Sequence, residues 1–363
     1  MKRQANPLNL FLRNRLTTKP GILKKLITFL VASFFITSCS PKLKKETITS
    51  VTGKIPANKM GISLIHEHIL VDFIGADSTG YHRWEKSKVI ERVLPFLIEA
   101  EQRGVQTILE CTPSYLGRDP LLLKELSEKT GINILTNTGY YGARENKYIP
   151  KHAFDQTPED IAKVWIDEFK NGIEDSGIIP GFIKISVDRG DILSPMHAKI
   201  IKAAAITHKA TGLTIVSHTG PDGPAFAQLE VLKNEGVSPE AFVWTHAQDG
   251  TLEGYIKAAK LGVWISLDNL NKNNLDKPGG VDWFVVLLTK LKKENLLHKI
   301  LISHDAGWYN PGQVNGGNFR GYTEMFEHLI PALMKNGFSQ EDIDLLLIKN
   351  PRKAYAVKIR KIK

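Results

Sequence analysis

The sequence contains only two cysteines, Cys39 and Cys111, in 363 residues. A disulfide framework is therefore excluded, because such scaffolds need several cysteine pairs. The chain also has no low-complexity segment and no internal repeat, so neither a disordered nor a collagen-like protein is indicated. With 42% apolar and 24% charged residues, the chain can bury one large core. The composition predicts a single globular domain.

Acidic residues are absent from residues 1–38, which carry seven lysines and arginines. This segment supplies seven of the net ten positive charges, so only three remain for residues 39–363. Binding of nucleic acid requires basic residues clustered on one folded face. The distribution of charge therefore argues against a nucleic-acid partner and assigns the basicity to a targeting segment.

The apolar run of residues 26–36 is too short to span a bilayer. It follows Lys24 and Lys25 and ends in small residues, which is typical of a secretory signal peptide. Ile36-Thr37-Ser38-Cys39 resembles the bacterial lipoprotein box, in which the cysteine becomes the lipidated first residue. We predict a lipoprotein signal peptide over residues 1–38, a tether over 39–53 and a catalytic domain over 54–363.

Lipidation of Cys39 would hold the protein on a membrane surface without a transmembrane helix. We therefore expect secretion across the inner membrane and anchoring on the periplasmic or outer-membrane side. An uncleaved anchor or a plain signal peptide is the alternative.

A glycine-rich phosphate-binding turn is missing after the first predicted strand, which argues against an open doubly wound sheet. Instead, eight short apolar runs alternate with amphipathic stretches that begin with helix caps, such as Thr157-Pro158-Glu159-Asp160 and Ser194-Pro195. Eight strand and helix units in about 300 residues predict a single (β/α)8 TIM barrel. The runs are residues 61–70, 107–111, 132–138, 181–187, 214–218, 242–246, 263–267 and 300–305.

The first run ends in His66-Glu67-His68. Side chains of a strand alternate between its two faces, so both histidines point to one side and Glu67 to the other. In a TIM barrel the C-terminal ends of the strands form the active-site face. A metal site is therefore expected there. Three other runs end in residue types that bind metals, namely His218, His246 and Asp305.

Lys184 lies inside the fourth run, where a lysine is costly unless its charge is removed or paired. A neutral amine beside two metal ions can add carbon dioxide and become a carboxylate that bridges both ions. Pairing with Asp188, or a position facing the outer helices, is the alternative for Lys184.

The ordered set of these six residues resembles the phosphotriesterase family of the amidohydrolase superfamily. Gly117-Arg118-Asp119 and Thr138-Gly139-Tyr140-Tyr141, which follow the second and third runs, add to the resemblance. It covers about residues 54–357 of the chain. The resemblance implies two divalent metal ions bridged by carbamylated Lys184. His66, His68 and Asp305 would hold the more buried ion, and His218 and His246 the more exposed one.

The resemblance further implies catalysis by a hydroxide that the two metals share, with Asp305 as the proton acceptor. Zinc suits the imidazole and carboxylate ligands, and manganese, cobalt or iron would also fit. The other seven of the eleven histidines, His304 among them, are expected to be non-ligands. A role for His304 behind the ligands is the alternative. Cys111 is expected to line the pocket or to be packed.

The implied activity is hydrolysis of ester bonds in a small molecule. A carboxylic ester or lactone is favoured, as for a lactonase, with phosphotriesters as a side activity. A dedicated organophosphate or phosphate-ester hydrolase and a non-catalytic metal-bound binding lipoprotein are the alternatives. We also expect a homodimer. Residues expected in the substrate pocket, rather than in packing between loops, are Tyr140, Tyr141, Trp308, Tyr309 and Arg320.

Overall fold

The structure, a computed structural model, describes residues 46–275 and 277–362. The predicted signal peptide and the lipidation site at Cys39 lie outside the described residues. Strands β1 (Thr47–Ser50) and β2 (Gly53–Pro56) form an antiparallel hairpin. Ile48 of β1 is fully buried, so the folded domain includes residues that the sequence-based prediction placed in the tether.

Nine parallel strands follow the hairpin and form eight strand positions of a barrel. Two of them, β5 (Asn133–Leu135) and β6 (Asn137–Thr138), are halves of one broken strand and are separated only by Thr136. One parallel sheet contains the first three of these strands in chain order, and the other contains the remaining six in chain order. The strands are β3 (Ile62–Glu67), β4 (Val105–Glu110), β5 (Asn133–Leu135), β6 (Asn137–Thr138), β7 (Phe182–Ser186), β8 (Ile215–His218), β9 (Phe242–Thr245), β10 (Trp264–Leu267) and β11 (Ile300–Ile302).

Backbone hydrogen bonds beyond the regular ladders join the first and last barrel strands. The amide of Asp305, just after β11, donates to the carbonyl of His66 at 3.0 Å. The amide of His68 donates to the carbonyl of Ala306 at 2.8 Å. The end of β11 therefore lies beside the end of β3. This neighbourhood agrees with the predicted fold, and the domain is a (β/α)8 TIM barrel.

Helices follow the barrel strands, and their starts agree with the predicted caps. The Thr157 hydroxyl accepts from the Asp160 amide in a capping box at the start of the helix Pro158–Asn171, and Ser194 and Ser339 cap two later helices. None of the helices among the described residues is long and apolar enough to cross a bilayer. The helices are α1 (Lys86–Gln102), α2 (Pro120–Thr130), α3 (His152–Asp155), α4 (Pro158–Asn171), α5 (Pro195–Thr211), α6 (Asp222–Asn234), α7 (Leu252–Leu261), α8 (Val281–Lys293), α9 (Ile330–Lys335), α10 (Gln340–Asp344) and α11 (Asn350–Tyr355).

Two single π-turns, Met325–Leu329 and Leu345–Lys349, precede α9 and α11. Pro331 and Pro351 follow these turns, and proline has no amide to continue the regular helical hydrogen bonds. The shift of hydrogen-bond register at the π-turns is therefore expected from the sequence of the two helices.

Apolar side chains from alternating strand positions form two clusters. Ile65, Leu109, Val216 and Leu301 belong to the smaller cluster, which consists mainly of strand residues and fills the barrel. The larger cluster joins the other strand faces to the apolar faces of the helices. This packing fixes the strand ends, so side chains at those ends have defined positions.

Candidate metal centre

All six predicted metal ligands line one cavity of about 80 Å³ at the C-terminal ends of the strands. They come from five different strand positions. His66 lies in β3 and His68 directly follows it, and four other strands or the residues just after them contribute one residue each. The pairing register between β3 and β4 shifts between Leu64 and Glu67. Such irregularities re-aim side chains next to active sites. The residues are His66, His68, Lys184, His218, His246 and Asp305.

Three of the four histidines have their Nδ1 atom engaged by a residue behind them. His66 and His246 each contact Asp268 through Nδ1 at 2.8 Å. The Nδ1 atom of His68 lies 2.8 Å from the Thr112 hydroxyl. Histidines that bind metals typically use one ring nitrogen for the metal and the other for such a partner. The arrangement therefore leaves Nε2 of these three rings for a ligand.

Asp268, which follows β10, was not among the predicted site residues. It is fully buried, accepts a hydrogen bond from the Ser266 hydroxyl at 2.7 Å, and accepts another from the His246 amide. Burial alone raises the pKa of Asp268, but its interactions with His246 and His66 lower that pKa well below its usual range. The signal in the sequence was an acid directly after an apolar strand, the same pattern that marked Asp305.

Asp305 faces the two histidines of the first strand. Its Oδ1 atom lies 3.1 Å from Nε2 of His68 and 3.9 Å from Nε2 of His66. This oxygen is buried and has no hydrogen-bond partner among the described residues. A buried polar atom without a partner calls for an explanation, and a metal ion between these three side chains supplies one. The donor set fits the metal that the fold implies.

The protonation of the site suits metal binding in two of the four histidines. Burial, with a smaller contribution from Lys184, lowers the pKa of His66 to about 4. Burial and neighbouring positive groups lower the pKa of His218 well below its usual value. Both rings are therefore neutral near neutral pH, and neutral imidazole is the form that binds a metal. His246 differs, because Asp268 raises its pKa against the effect of burial.

Lys184 is 1% exposed, and its Nζ atom lies 3.3 Å from Nε2 of His66. No carboxylate of the described chain lies within 4.0 Å of this amine. Asp188, the alternative partner, instead accepts a hydrogen bond from the Arg144 amide at 2.7 Å. A charged amine buried without a carboxylate beside it is costly.

The backbone is strained at two of the candidate ligands. His246 and Asp305 have φ angles of 55° and 53°, in the left-handed region that non-glycine residues seldom adopt. Such conformations persist where the surroundings hold them in place, and they cluster at functional sites. Gly307 also has a positive φ, and a β-carbon there would overlap the His68 carbonyl oxygen. The loop after β11 thus packs directly on the end of β3.

Glu67 points away from the cavity, as the strand alternation predicted, and it holds the loop after β11. Its buried carboxylate accepts hydrogen bonds from the Ser303 hydroxyl at 2.7 Å, from His304 Nδ1 at 2.7 Å and from the Ala306 amide at 2.8 Å. Arg320 donates to the carbonyls of His304 and Asp305. The structure therefore places Arg320 behind the loop rather than in the cavity, and His304 is likewise outside it.

Of the predicted aromatic pocket residues, the structure brings Tyr141 and Trp308 to the cavity and places the other two elsewhere. Tyr140 packs edge-on against Trp165 and borders a separate surface groove. Tyr309 borders another groove on the side of α1. The remaining walls, which the sequence did not indicate, are Val71, Phe73, Leu116, Arg144 and Tyr148.

Cys111 is fully buried and does not line the cavity. It packs in the cluster inside the barrel, and burial raises the pKa of its thiol. Of the two predicted roles for Cys111, the structure shows the packed thiol.

The geometry defines a class of protein. A (β/α)8 barrel whose strand ends converge histidines and a carboxylate on one cavity has the layout of a metal-dependent hydrolase. The chain belongs to the phosphotriesterase family, because the model of the Phosphotriesterase family matches residues 46–355. This family depends on a binuclear metal centre.

Several proteins resemble the chain over most of its length. It is 29% identical over 293 residues to the "Phosphotriesterase homology protein" of Escherichia coli (strain K12). That alignment covers 80% of this chain and 96% of the relative. It is 30% identical over 314 residues to the "Aryldialkylphosphatase" of Saccharolobus solfataricus, with 83% and 97% covered. An "N-acetyltaurine hydrolase" of Xenopus tropicalis is 24% identical over 349 residues, with 84% and 96% covered.

Proposed function

We propose that this protein is a binuclear metal-dependent hydrolase of small carboxylic esters or lactones, with phosphotriesters as a side activity. The observation that carries the proposal is the convergence of four histidines, a buried amine and a carboxylate on one small cavity. A site of this composition costs stability, since it buries a lysine and strains two backbone positions. Such costs are typical of functional sites rather than of packing.

The proposed ligands are His66, His68 and Asp305 for one ion and His218 and His246 for the other. The ligand atoms of the first group lie within 4.8 Å of one another, which supports a shared ion. Carbamylated Lys184 would bridge the two ions, and its buried amine without a counter-charge supports this role. Zinc is the favoured metal, and manganese, cobalt or iron suit the same ligands.

Two divalent ions bound there would supply an activated water as the nucleophile and positive charge at the oxygen of the scissile group. Asp305, the carboxylate of the cavity lining, would accept the proton that the water releases on attack. Tyr141 and Trp308 would form the walls beside the acyl group and exclude bulk water. Thr112 and Asp268 would keep the histidine rings in their ligating orientation.

The size and lining of the cavity favour a compact substrate. A volume of about 80 Å³ suits a short acyl group better than a phosphorus centre carrying three bulky substituents. The relative named "Aryldialkylphosphatase" supports the alternative of a dedicated organophosphate hydrolase. The relative named "N-acetyltaurine hydrolase" supports an amide substrate, because the same activated water can attack an amide carbonyl.

The location of the enzyme is also proposed from the sequence. Lipidation of Cys39 after removal of residues 1–38 would anchor the barrel on the periplasmic or outer-membrane side. The homodimer stays a prediction.

A hydrolysis screen tests the proposed function. Purified protein loaded with zinc should contain about two ions per chain, and should be assayed on lactones, aryl esters, N-acetyl amides, phosphodiesters and phosphotriesters. Asp305→Asn serves as the blank. The highest turnover is expected on esters or lactones. Turnover no higher than this blank on every class would contradict the proposal and favour a binding protein.

A further inference from the structure

Arg144 is a cation of the cavity that neither the metal site nor the fold uses. It lies in the loop after β6 and lines the same cavity as the candidate ligands. Its side chain is exposed, and no carboxylate of the described residues lies within 4.0 Å of its guanidinium. Two other cations at this end of the barrel differ, since Arg189 pairs with Asp249 at 2.6 Å and Arg83 pairs with Asp72 at 3.1 Å.

The backbone around Arg144 is held in a costly conformation. Arg144, Glu145 and Asn146 have φ angles of 65°, 57° and 63°, three successive residues in the left-handed region. The Ala143 amide donates to the Ser186 hydroxyl, and the Arg144 amide donates to Asp188, each at 2.7 Å. Ser186 ends β7, the strand that carries Lys184, and Asp188 follows that strand. These hydrogen bonds hold the strained backbone at Arg144 against the strand of a candidate ligand.

Arg144 shares the cavity lining with two tyrosines, Tyr141 and Tyr148. Burial raises the pKa of Tyr141 and of Tyr148, and the positive charge of Arg144 opposes both increases. The only carboxylate in the cavity lining, Asp305, faces the histidines. Apart from the six candidate ligands and Arg144, the described residues that line the cavity are aromatic or aliphatic. A neutral substrate would therefore cover the guanidinium without replacing the hydrogen bonds that it makes to water.

We infer that Arg144 is the residue that recognises an anion in this cavity, and that the substrate is a compact acyl compound bearing a carboxylate or sulfonate away from the scissile bond. This inference rests on the proposed hydrolytic function and names its substrate class. A guanidinium binds a planar carboxylate through two parallel hydrogen bonds, and it binds sulfonate oxygens in a similar way. The anion would fix which end of the substrate faces the metals.

Isosteric substrates test the inference. The zinc-loaded enzyme is assayed on 3-acetoxypropanoate, on 2-acetoxyethanesulfonate and on the neutral 3-acetoxypropanamide, which matches the carboxylate in size. We expect kcat/KM of the wild type to be about 10- to 100-fold higher for the anions. Arg144→Gln should lower kcat/KM for the anions by about this factor, while the value for the amide changes by less than about threefold. Arg144→Lys should recover part of the loss.

Lys147→Gln is the matched control, because it removes a positive charge from the same loop. The Nζ atom of Lys147 donates to the Phe73 carbonyl, and the residue does not line the cavity. The ratio of kcat/KM for the anionic esters to kcat/KM for the neutral ester should be the same in Lys147→Gln as in the wild type. Equal rates on the anionic and neutral esters would overturn the inference, as would equal losses in the two glutamine variants, while leaving the hydrolytic function intact.

A binding measurement separates the two proposals if no ester is hydrolysed. 3-Hydroxypropanoate is titrated calorimetrically into the zinc-loaded wild type and into zinc-loaded Arg144→Gln and Lys147→Gln. If 3-hydroxypropanoate binds to Arg144→Gln at least about tenfold more weakly than to the other two proteins, the result would support anion recognition. The absence of hydrolysis would then contradict only the proposed hydrolytic function. Equal affinities would show that the anion does not contact Arg144, and would overturn the inference.

Discussion

Replacement of Asp268 by asparagine is the most direct test of how the histidines are oriented. The carboxylate lies between two ring nitrogens, at 2.8 Å from Nδ1 of His66 and 2.8 Å from Nδ1 of His246. It also accepts from the Ser266 hydroxyl and the His246 amide. Separations of 2.8 Å are hydrogen-bond distances, which favours a role for Asp268 behind the ligands over a role as a ligand.

An asparagine has one acceptor oxygen where the carboxylate has two. One histidine in Asp268→Asn would therefore lose its acceptor, or would move its proton to Nε2 and lose the lone pair that binds the metal. Loss of such a partner typically lowers metal affinity by about 10- to 100-fold. This range corresponds to about 1.4 to 2.8 kcal/mol, close to the value of one hydrogen bond to a charged group.

The assay is a competition for zinc between the protein and a chelator of known affinity, with the bound metal measured by elemental analysis. Asp249→Asn is the control, because Asp249 lies in the loop after His246 and pairs with Arg189 outside the cavity. We expect this control to retain zinc affinity within about twofold, since exposed ion pairs contribute little. Wild-type zinc affinity in Asp268→Asn would refute the proposed orienting role.

Three further predictions concern the metal-bridging role of Lys184, the loop that contains Gly307, and the buried His208 away from the cavity. Lys184→Ala should lose bound metal and activity, and short carboxylic acids such as propionate should restore part of both; full metal content and rate without the acid would contradict the bridge. Gly307→Ala should be destabilised by at least about 1 kcal/mol more than Gly337→Ala in urea unfolding, because both glycines have positive φ but only Gly307 meets a neighbouring carbonyl. Equal losses of unfolding free energy in the two variants would show that the loop moves to accommodate the added β-carbon. His208 has a pKa lowered by burial, so the folded state resists its protonation and loses stability as the pH falls below the unfolded value of about 6.5. The difference in unfolding free energy between wild type and His208→Gln should therefore narrow as the pH falls from about 7 to about 5. If the unfolding free energies of the two proteins change in parallel with pH, the buried His208 does not cause the loss of stability.

The barrel could be predicted because its strands and helices have strong local signals. Buried parallel strands are short apolar runs, and helix starts such as Thr157 and Ser194 carry capping residues whose hydrogen bonds the structure contains. The break of the third strand at Thr136 and the register shift in β3 had no such signal. Both depend on how neighbouring strands pair, which is a property of the assembled sheet.

The metal-binding side chains could be predicted for a related reason. Polar residues at the ends of apolar strands have few structural explanations, and the barrel brings all strand ends to one face. The cavity walls could not be predicted, because they consist of loop residues whose positions depend on how each loop folds. Arg320 and Arg144 both lie in loops of this face, yet Arg320 donates to backbone carbonyls while Arg144 lines the cavity. Nothing in the composition of either loop distinguishes the two arginines.

Three loops with left-handed residues are each held by a carboxylate at the end of the neighbouring strand. Glu67, Asp188 and Asp268 each follow or end a barrel strand, and each accepts a backbone amide from the loop of the neighbouring strand. The three loops contain the left-handed residues Asp305, Arg144 and His246 in turn. A carboxylate that accepts an amide offsets part of the cost of a left-handed backbone. Acids at strand ends that are not ligands are therefore the positions to examine for residues that support a neighbouring loop.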